Sequence, residues 1–548
     1  MKKIISNSSI KTILLFAFLI LQCSQNVFAQ TQTESTYSLN VNRINFPVRS
    51  NGVLGASYKD NLTDAIIFDG VRVVWSAGFL LSGYSNGNLW SNGVASAARI
   101  EDYKCCIVED GESEMYVLKS TDQVFGDSWQ NWKTAVTKGA YYYDGNGDGV
   151  YDPIDLNSNG IWDSNEDRPD LLGDETVWCV YSDALPSLDD VTPQSIEIRQ
   201  TVWAYAGEGE EGNVVYVRYS ILNKGTIAAK LDSVYFGVWS DTDIGNYIDD
   251  LGGTDLELNS VFVYNDSTDS QLESKSMAHY ISLLQRPWVE TNSPNDFAFN
   301  NLGDHLGVDT IYGAKNLKMT SSNQILKYVA EHEDPKTKSM VRNILEGHTS
   351  LNGNIIDPCN WEYGFVNEVN CEDIEPNFIY SGDPQTNIGW INNNPTDTRM
   401  LANVGPFSLN VDEPQDIIVS HVLATDSDHL SSLAKTKSIV NNIISRFPTD
   451  INNSDKKLTI RDYKLYQNYP NPFNPSTIIS YSVPKQTHVK ITVFDILGNK
   501  IATLFEGIRT TGNYEVEFTP KNSFSSGIYF YQIITPEYSK TNKMMLLK

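Results

Sequence analysis

The sequence lacks most of the patterns that assign a chemistry directly. No two cysteines have the CxxC spacing of a zinc or thiol-redox site, and the seven histidines never fall at metal-ligand spacing. Glu331-His332-Glu333 has no second histidine four residues on, so it does not form a zinc-protease helix. No glycine-rich loop of the phosphate-binding kind is present. These absences give no support to a zinc, redox or phosphate site of a standard type.

Positive charge is also scarce. The chain has 41 Lys and Arg against 68 Asp and Glu, which gives a formal net charge of −27. The acidic excess lies before Tyr463, whereas residues 463–548 are net basic. Because nucleic acids and anionic lipids are polyanions, the composition predicts neither as a partner and favours bound divalent cations. The change of sign also marks a composition boundary between separate domains.

No apolar run approaches the roughly 18 residues of a membrane-spanning helix, so no transmembrane segment is predicted. Residues 1–29 have the three parts of a secretory signal peptide: a basic start, the apolar run Ile13–Leu21, and small residues before a cleavage point at Gln30. We therefore expect export by Sec into the periplasm. Cys23 offers a lipoprotein alternative, which Gln22 disfavours because such signals need a small residue there.

Few cysteines remain after the signal peptide: Cys105, Cys106, Cys179, Cys359 and Cys371. Export permits disulfides, and Cys359 with Cys371 could close a short loop. Neighbouring Cys105 and Cys106 would point to opposite faces of a strand, which disfavours a bond between them. The odd number leaves at least one thiol without a disulfide partner in the chain.

The residue pattern after the signal peptide is typical of a mainly β protein. Residues 37–143 contain short apolar runs separated by Gly and Asn, a pattern typical of strands and hairpin turns. Gly83-Tyr-Ser-Asn-Gly87 matches the Gly-x-Ser-x-Gly pattern of a hydrolase nucleophile elbow, but that mechanism needs a helix next. The following residues, Asn88–Gly93, are turn-rich, so we predict a hairpin turn instead.

The clearest strands lie between Ser195 and Asp241. Ile196–Ala204 has the two-residue period of a strand in a sheet. Val214–Leu222 is predicted as a second strand that runs back along it, and Leu231–Trp239 as a third. They predict a three-stranded antiparallel meander within a β-sandwich. Further along, we predict the following elements: two strands within Gly405–Thr425, a short helix at Ser339–Glu346, and a helix at Ser427–Phe447 capped by Ser427.

The sharpest constellation of possible ligands lies in an insertion at residues 144–167. Oxygen-bearing side chains recur at alternate positions with a glycine at the bend, which is the spacing of a loop that wraps calcium. The first loop would use Asp144, Asn146, Asp148, the Val150 carbonyl, Asp152 and Asp155. The second would use Asp155 again, Asn157, Asn159, the Ile161 carbonyl, Asp163 and Glu166. The alternative is an Asn/Gly/Asp-rich surface loop.

Prolines at both ends leave little room for flanking helices. The segment therefore resembles the helix-poor calcium loops of thrombospondin type 3 repeats and dockerins, which implies a structural clamp and not a calcium-sensing switch. A second acidic group has no standard spacing and could be either a metal site or a solvated loop. Its members are Asp241, Asp243, Asp249, Asp250 and Asp255.

The last part of the chain, residues 463–548, divides into short strands separated by turns. Its length and strand count predict a small immunoglobulin-like sandwich, and the polar residues 449–462 before it read as a linker. The predicted strands are Thr477–Val483, Val489–Phe494, Lys500–Leu504, Gly512–Phe518, Gly527–Ile533 and Lys540–Leu547.

Several ordered motifs in this tail resemble a known family. They are Asn468-Tyr-Pro-Asn-Pro-Phe-Asn-Pro475, Val493-Phe-Asp-Ile-Leu-Gly498, Gly527-Ile-Tyr-Phe530 and the basic end Lys543–Lys548. The tail is similar to the type A C-terminal sorting domain of the type IX secretion system of Bacteroidetes-like bacteria. The resemblance implies the outer-membrane type IX export machinery as partner, attachment to surface lipopolysaccharide as a possible outcome, and an extracellular or cell-surface location.

The remaining residues, 30–448, form the passenger. Trp178–Asp183, Gly237–Asp241 and Gly405–Phe407 resemble segments of other passengers with this kind of tail, a likeness that implies no activity. We expect a mainly β, calcium-stabilised binding or structural protein. The alternative is a secreted polysaccharide hydrolase, but no catalytic carboxylate pair can be chosen from so many acids.

Overall fold

A computed structural model describes residues 34–547, with these gaps: 61–63, 106–114, 184–191, 268–271, 273–274, 292, 294, 304, 328, 448–462, 466–467, 469–470, 484, 486, 510–511 and 522–523. The predicted signal peptide, the predicted linker and Cys106 lie outside the described residues. The chain divides into two compact units, Met1–Thr449 and Asp450–Lys548. None of the described helices has the length and hydropathy to cross a membrane.

The first unit is built on two large antiparallel sheets, which we call sheet A and sheet B. Sheet A has ten strands: β1 (Thr36–Leu39), β2 (Ile44–Arg49), β3 (Leu54–Gly55), β4 (Ile66–Phe68), β5 (Val71–Ser85), β6 (Asn88–Ala95), β7 (Ile100–Glu101), β15 (Lys230–Thr242), β23 (Ser321–Leu326) and β26 (Thr398–Asn410). Sheet B has nine: β8 (Tyr103–Cys105), β9 (Tyr116–Lys119), β12 (Glu175–Asp183), β13 (Ile196–Ala204), β14 (Val214–Asn223), β16 (Asp250–Asp255), β17 (Ser260–Asn265), β18 (Ser276–Gln285) and β27 (Gln415–Asp426).

Short strand pairs and helices complete the unit. The pairs are β10 (Tyr142–Tyr143) with β11 (Arg168–Pro169), β19 (Trp288–Glu290) with β22 (Ala314–Asn316), β20 (Phe297–Gly303) with β21 (Gly307–Tyr312), and β24 (Gly364–Asn367) with β25 (Gly389–Asn392). The α-helices are α1 (Asp127–Thr137), α2 (Lys338–Leu345) and α3 (His429–Ile444). Single 3-10 turns occupy Tyr58–Asp60, Ser96–Ala98, Glu210–Asn213 and Cys371–Asp373.

Sheets A and B pack face to face around one apolar core. Phe79 of sheet A lies 5.3 Å from the ring of Tyr219 in sheet B, and Tyr219 lies 5.5 Å from Phe236 of sheet A. These side chains are fully buried, as strand alternation requires for the inner faces of a sandwich. The predicted mainly β, sandwich-type fold class is confirmed.

The predicted three-stranded meander is wrong in its third strand. Strands β13 and β14 pair as expected, with Ile196 opposite Asn223 and Trp203 opposite Tyr216. The other edge of β14 is occupied by β27, so β15 has no place beside β14. It crosses to sheet A and pairs with β5 and β26. The two strands predicted within Gly405–Thr425 are likewise present as β26 and β27 but belong to different sheets.

Three local predictions have clear outcomes. Strand β5 ends at Ser85, which pairs with Asn88 of β6 across the tight turn at Asn86 and Gly87, so the Gly-x-Ser-x-Gly match is a hairpin as predicted. Helix α3 is capped by Asp428, whose carboxylate accepts a hydrogen bond from the Ser431 N–H at 2.9 Å, and not by Ser427. Cys359 and Cys371 form a disulfide with a Cα–Cα distance of 5.1 Å.

Helix α1 was not predicted from the sequence. It begins after Gly126 and buries Trp129 and Trp132 against sheet B, where the Trp132 ring lies 6.2 Å from that of Trp178. Tyr151 belongs to the same cluster, and its hydroxyl donates to the Trp129 carbonyl at 3.1 Å. This contact connects the predicted calcium loops to the body of the unit.

The second unit is a small sandwich with its own core. A three-stranded sheet and a four-stranded sheet contain all six predicted strands and one more. The strands are β28 (Lys464–Leu465), β29 (Thr477–Val483), β30 (Thr487–Phe494), β31 (Lys500–Arg509), β32 (Gly512–Phe518), β33 (Gly527–Ile534) and β34 (Ser539–Leu546). Ile479, Ile491 and Tyr531 are fully buried between the sheets.

Candidate functional site

The first predicted calcium loop is organised by the side chain of its first residue. One carboxylate oxygen of Asp144 accepts from the Gly149 N–H at 2.8 Å, and the other accepts from the Asp148 N–H at 3.2 Å. The Asn146 side-chain oxygen accepts from the same Asp148 N–H, and Asp148 accepts from the Val150 N–H. These bonds fold the side chains of alternate residues toward the inside of the loop.

The second loop repeats the same bonds at the same relative positions. Asp155 accepts from the Gly160 N–H at 2.7 Å and from the Asn159 N–H at 3.1 Å. Asn157 accepts from Asn159, and Asn159 accepts from the Ile161 N–H. Gly149 and Gly160, the bend residues of the two loops, both have φ of +77°, a conformation that favours glycine. The two loops therefore have one conformation.

Each loop is closed by a buried acid, and the two acids are neighbours in sequence. The Glu166 carboxylate accepts from the Leu156 N–H at 2.7 Å and from the Asp163 N–H at 2.9 Å, the second and ninth positions of the second loop. Glu166 is only 1% exposed. Its carboxylate is therefore directed toward the backbone of the second loop.

Asp167 closes the first loop in the same way. Its carboxylate accepts from the Gly145 N–H at 3.1 Å and from the Asp152 N–H at 2.7 Å, again the second and ninth positions. Sequence spacing placed Asp155 in this role, but both Asp155 oxygens accept bonds within the second loop. Asp167 lies outside the twelve-residue spacing, so no pattern in the sequence identified it.

The remaining predicted ligands are placed less uniformly. The Asp152 carboxylate forms an ion pair with Lys133 at 2.7 Å. Asp163 accepts from the side-chain amides of Asn157 and Asn159 at 2.7 and 2.8 Å.

The donor set of both loops fits calcium in type, because it consists of carboxylate, amide and backbone carbonyl oxygens. Val150 and Ile161, the predicted carbonyl donors, have exposed side chains. In the described part of the chain, the acids of these loops do not form a group of three whose ligand atoms lie within 4.8 Å of one another.

The second acidic group is only partly assembled. Asp241 and Asp243 come together with Asp397, and one oxygen of each lies within 4.8 Å of the others. Asp397 was not predicted, because it precedes β26 and is distant in sequence. Arg399 lies beside the group, with its Nε 3.3 Å from Asp241 Oδ1 and its Nη1 3.8 Å from Asp397 Oδ1.

Burial and mutual repulsion disturb the ionisation of this group. Burial raises the pKa of Asp241 to about 8, although the Arg399 guanidinium opposes the shift. Burial and the nearby Asp397 charge raise the pKa of Asp243 to about 6. Both carboxyls therefore hold a proton more readily than an exposed aspartate.

The other three acids predicted for this group lie apart from it. Asp249 contacts the Asn265 side-chain amide at 3.4 Å, and Asp250 accepts from the Ile244 N–H at 3.1 Å. Asp255, at the end of β16, forms an ion pair with Lys437 of α3 at 2.8 Å.

A surface cleft of about 490 Å³ lies where β19 meets the ends of β15 and β26. The Gln415 side chain fixes one wall, because it accepts from the Trp288 N–H at 3.0 Å and donates to the Trp288 carbonyl at 3.3 Å. Among the described residues that line the cleft, the one acid is Glu290, so this lining does not contain the carboxylate pair of a glycoside hydrolase. The lining is Lys230, Ser233, Trp288, Val289, Glu290, Pro406, Phe407, Ser408, Asn410 and Gln415.

In the tail, the Asn-Pro-rich motif lies against the last strand. Phe473 is buried, its N–H donates to the Met545 carbonyl at 2.9 Å, and its carbonyl accepts from the Leu547 N–H at 2.9 Å. The Asn468 N–H donates to the Tyr531 hydroxyl at 2.7 Å. Motifs at opposite ends of the tail sequence thus form one structural unit.

Comparisons with known proteins identify the tail. Residues 467–547 match the family described as "Secretion system C-terminal sorting domain". The tail is therefore a type IX sorting domain, and it indicates export to the cell surface or the extracellular space. No curated protein matches the sequence.

Two solved structures show a faint likeness to the chain. One is a polysaccharide lyase, with 7% identity and a TM-score of 0.20 over 94% of this chain and 46% of the lyase. The other is dimeric latent PorU from Porphyromonas gingivalis, with 9% identity and a TM-score of 0.15 over 69% of this chain and 32% of PorU. The chain spans less than half the length of either. Neither likeness carries an argument about fold or activity.

Proposed function

We propose that the passenger works outside the cell as a calcium-stabilised binding or structural protein. The observation that carries this proposal is the pair of loops at residues 144–167, which have one conformation and are closed by the adjacent buried acids Glu166 and Asp167. Oxygen ligands at alternate positions with a glycine at the bend are the arrangement of a calcium loop, and this arrangement occurs here twice.

Calcium in these loops would fix the segment against the body of the unit. Tyr142, before the first loop, lies 5.2 Å from the Tyr151 ring, and Tyr143 lies 5.6 Å from the Trp162 ring of the second loop. Asp144, Asp148 and Asp155 would hold the ions with the neighbouring amide and carbonyl oxygens. The bound charge would offset the repulsion among these acids, so the loops and the aromatic cluster beneath them would be stabilised together.

The surface cleft is where we place ligand binding. It combines the aromatic surfaces of Trp288 and Phe407 with charged groups of both signs, Lys230 and Glu290. Mixed apolar and polar linings of this size are typical of small-molecule sites. Both ends of the chain would determine its route. The signal peptide at residues 1–29 would direct Sec export, and the tail would be recognised by the outer-membrane type IX machinery before release or attachment to surface lipopolysaccharide.

Calcium should raise the melting temperature of the full-length protein by roughly 3–6 °C over its value in a chelator, because a ligand that binds only the folded state stabilises it. Asp155→Asn should weaken the second loop and Asp167→Asn the first, so each variant should remove part of this increase. The measurement is thermal unfolding followed by tryptophan fluorescence.

Asp232→Asn is the matched control, because Asp232 is an exposed acid paired with Lys230 away from the loops. It should keep the full calcium effect. A melting temperature and protease resistance that do not change between calcium and chelator would rule out the clamp.

A further inference from the structure

One row of polar side chains crosses the outer face of sheet A. Asp241 of β15 is directly opposite Ser76 of β5 on one side and Arg399 of β26 on the other. Residues directly opposite one another in a sheet point to the same face, with Cβ atoms roughly 4.5–5.5 Å apart. Ser76 and Arg399 therefore flank Asp241 on one face, the face that carries α2.

Two further acids reach this row from the strand ends. Asp243 follows β15 and is held by its N–H, which donates to the Val73 carbonyl at 3.1 Å. Asp397 precedes β26. One oxygen from each of Asp241, Asp243 and Asp397 lies within 4.8 Å of the others, which matches the spacing of ligands around a cation with bonds of about 2.3–2.6 Å.

Within the described residues, the ion pairs of this group leave its negative charge in excess. Four carboxylates meet, because Asp334 also approaches Arg399, at 3.7 Å. The cations that form ion pairs with them are Arg399 and Lys327, whose Nζ lies 2.8 Å from Asp397. The charge of Arg72 also acts on Asp243, so three cations face the four acids, and one negative charge remains when all four acids are ionised.

Two buried polar atoms beside this group have no hydrogen bond within the described structure. Ser76 is fully buried, and its hydroxyl has no hydrogen-bond partner. The buried Asp243 Oδ1 also lacks one. Because buried polar groups are nearly always bonded, the Ser76 hydroxyl and Asp243 Oδ1 indicate a missing partner.

We propose that Asp241, Asp243 and Asp397 bind a calcium ion, with the Ser76 hydroxyl as a further oxygen donor. The group contains only oxygen donors and no histidine or cysteine, which favours a hard cation over zinc or copper. The site joins β5, β15 and β26 at one edge of sheet A. It is separate from the loops at 144–167 and does not depend on whether they bind calcium.

Calcium bound per chain, measured by equilibrium dialysis of the full-length protein, tests the site. Asp243→Asn with Asp397→Asn should lower the number of bound ions by one, while Asp155→Asn should remove only ions of the loops. Ser76→Ala should keep the ion but weaken its affinity about tenfold, the scale expected for loss of a supporting ligand.

Asp249→Asn is the matched control, because Asp249 lies in the same acidic stretch of sequence but outside the group; it should leave the number of ions unchanged. Circular dichroism verifies folding, and the single Asp397→Asn variant replaces the double one if that fails to fold. Equal ion numbers in the folded variant and the natural protein would overturn the proposal. If the loops at 144–167 bound no calcium, the Asp243→Asn and Asp397→Asn variant should still bind one ion fewer than the natural protein.

Discussion

A chain of four polar side chains crosses the buried space between the two large sheets. The hydroxyls of Ser240 and Thr242 lie 3.0 Å apart, Thr242 Oγ1 is 3.0 Å from His279 Nδ1, and His279 Nε2 is 3.1 Å from His421 Nδ1. Both histidines are fully buried, and burial lowers the pKa of each, to about 4 for His421. Both rings are therefore neutral near pH 7.

This pair should make the first unit sensitive to acid. Well above pH 6.5 the two histidines are neutral in both the folded and the unfolded protein, so they do not make the free energy of unfolding depend on pH. As the pH falls from 6.5 toward 4, the histidines of the unfolded chain take up protons and those of the folded chain do not. At pH 4.5, His421 alone should lower the free energy of unfolding by about 2–3 kcal/mol relative to pH 7. His421→Asn should remove this loss.

Urea unfolding at the two pH values measures the effect. All 11 tryptophans precede residue 449, so tryptophan fluorescence reports the first unit. His488→Asn, at an exposed histidine of the tail, should leave the pH dependence as it is. The same pH dependence in His421→Asn and the natural protein would contradict the assignment.

Single residues were predictable where their spacing is local. Alternate positions from Asp144 to Glu166 could be read from the sequence because a loop of this kind repeats within a few residues. Asp167 could not, because it lies outside the twelve-residue spacing. Asp397 could not, because it meets Asp241 only through the pairing of β15 with β26. His279 and His421 belong to strands that meet only in the folded sheet.

Among the elements, strands were more predictable than their partners. The bounds of β13 and β14 and the strands of the tail followed from alternation and turn residues. Alternation does not reveal which edge of a strand is already occupied, so the crossing of β15 to sheet A was missed. Helix α1 was missed because its tryptophans read equally well as strand residues in a turn-rich region.

Close approach of β5 and β6 requires a glycine at Gly78. A Cβ atom there would lie 2.0 Å from the Val94 carbonyl oxygen, a backbone atom that cannot move without disturbing the pairing. Gly78→Ala should therefore lower the free energy of unfolding by about 2–4 kcal/mol. Urea unfolding followed by tryptophan fluorescence measures this loss.

Gly209→Ala is the control for this substitution. No atom lies within 4 Å of a Cβ at Gly209, and its φ of −76° suits alanine. We expect a change of less than about 1 kcal/mol, in the stabilising direction, because alanine restricts the unfolded chain. Equal stability of the two variants would show that β6 can shift away from β5.

At the scale of the whole molecule, the tail and the passenger have separate cores. Deleting Tyr463–Lys548 should leave a folded passenger that stays in the periplasm, because the sorting domain is lost while the core of the first unit is complete without it. Cell fractionation measures where the truncated protein goes, and its tryptophan melting curve shows that it is folded. Normal display of the truncated protein at the surface would refute this role of the tail.

Strand β15 also determines when the passenger can fold. It pairs with β5, which ends at Ser85, and with β26, which begins at Thr398. Both partners are therefore far from β15 (Lys230–Thr242) in the sequence. Closing such long loops is slow, because their entropy is lost before the contacts form. On the Sec route that we propose, the chain could not complete sheet A until Thr398–Asn410 had crossed the inner membrane, so the passenger core would form only after nearly all of its sequence had been delivered.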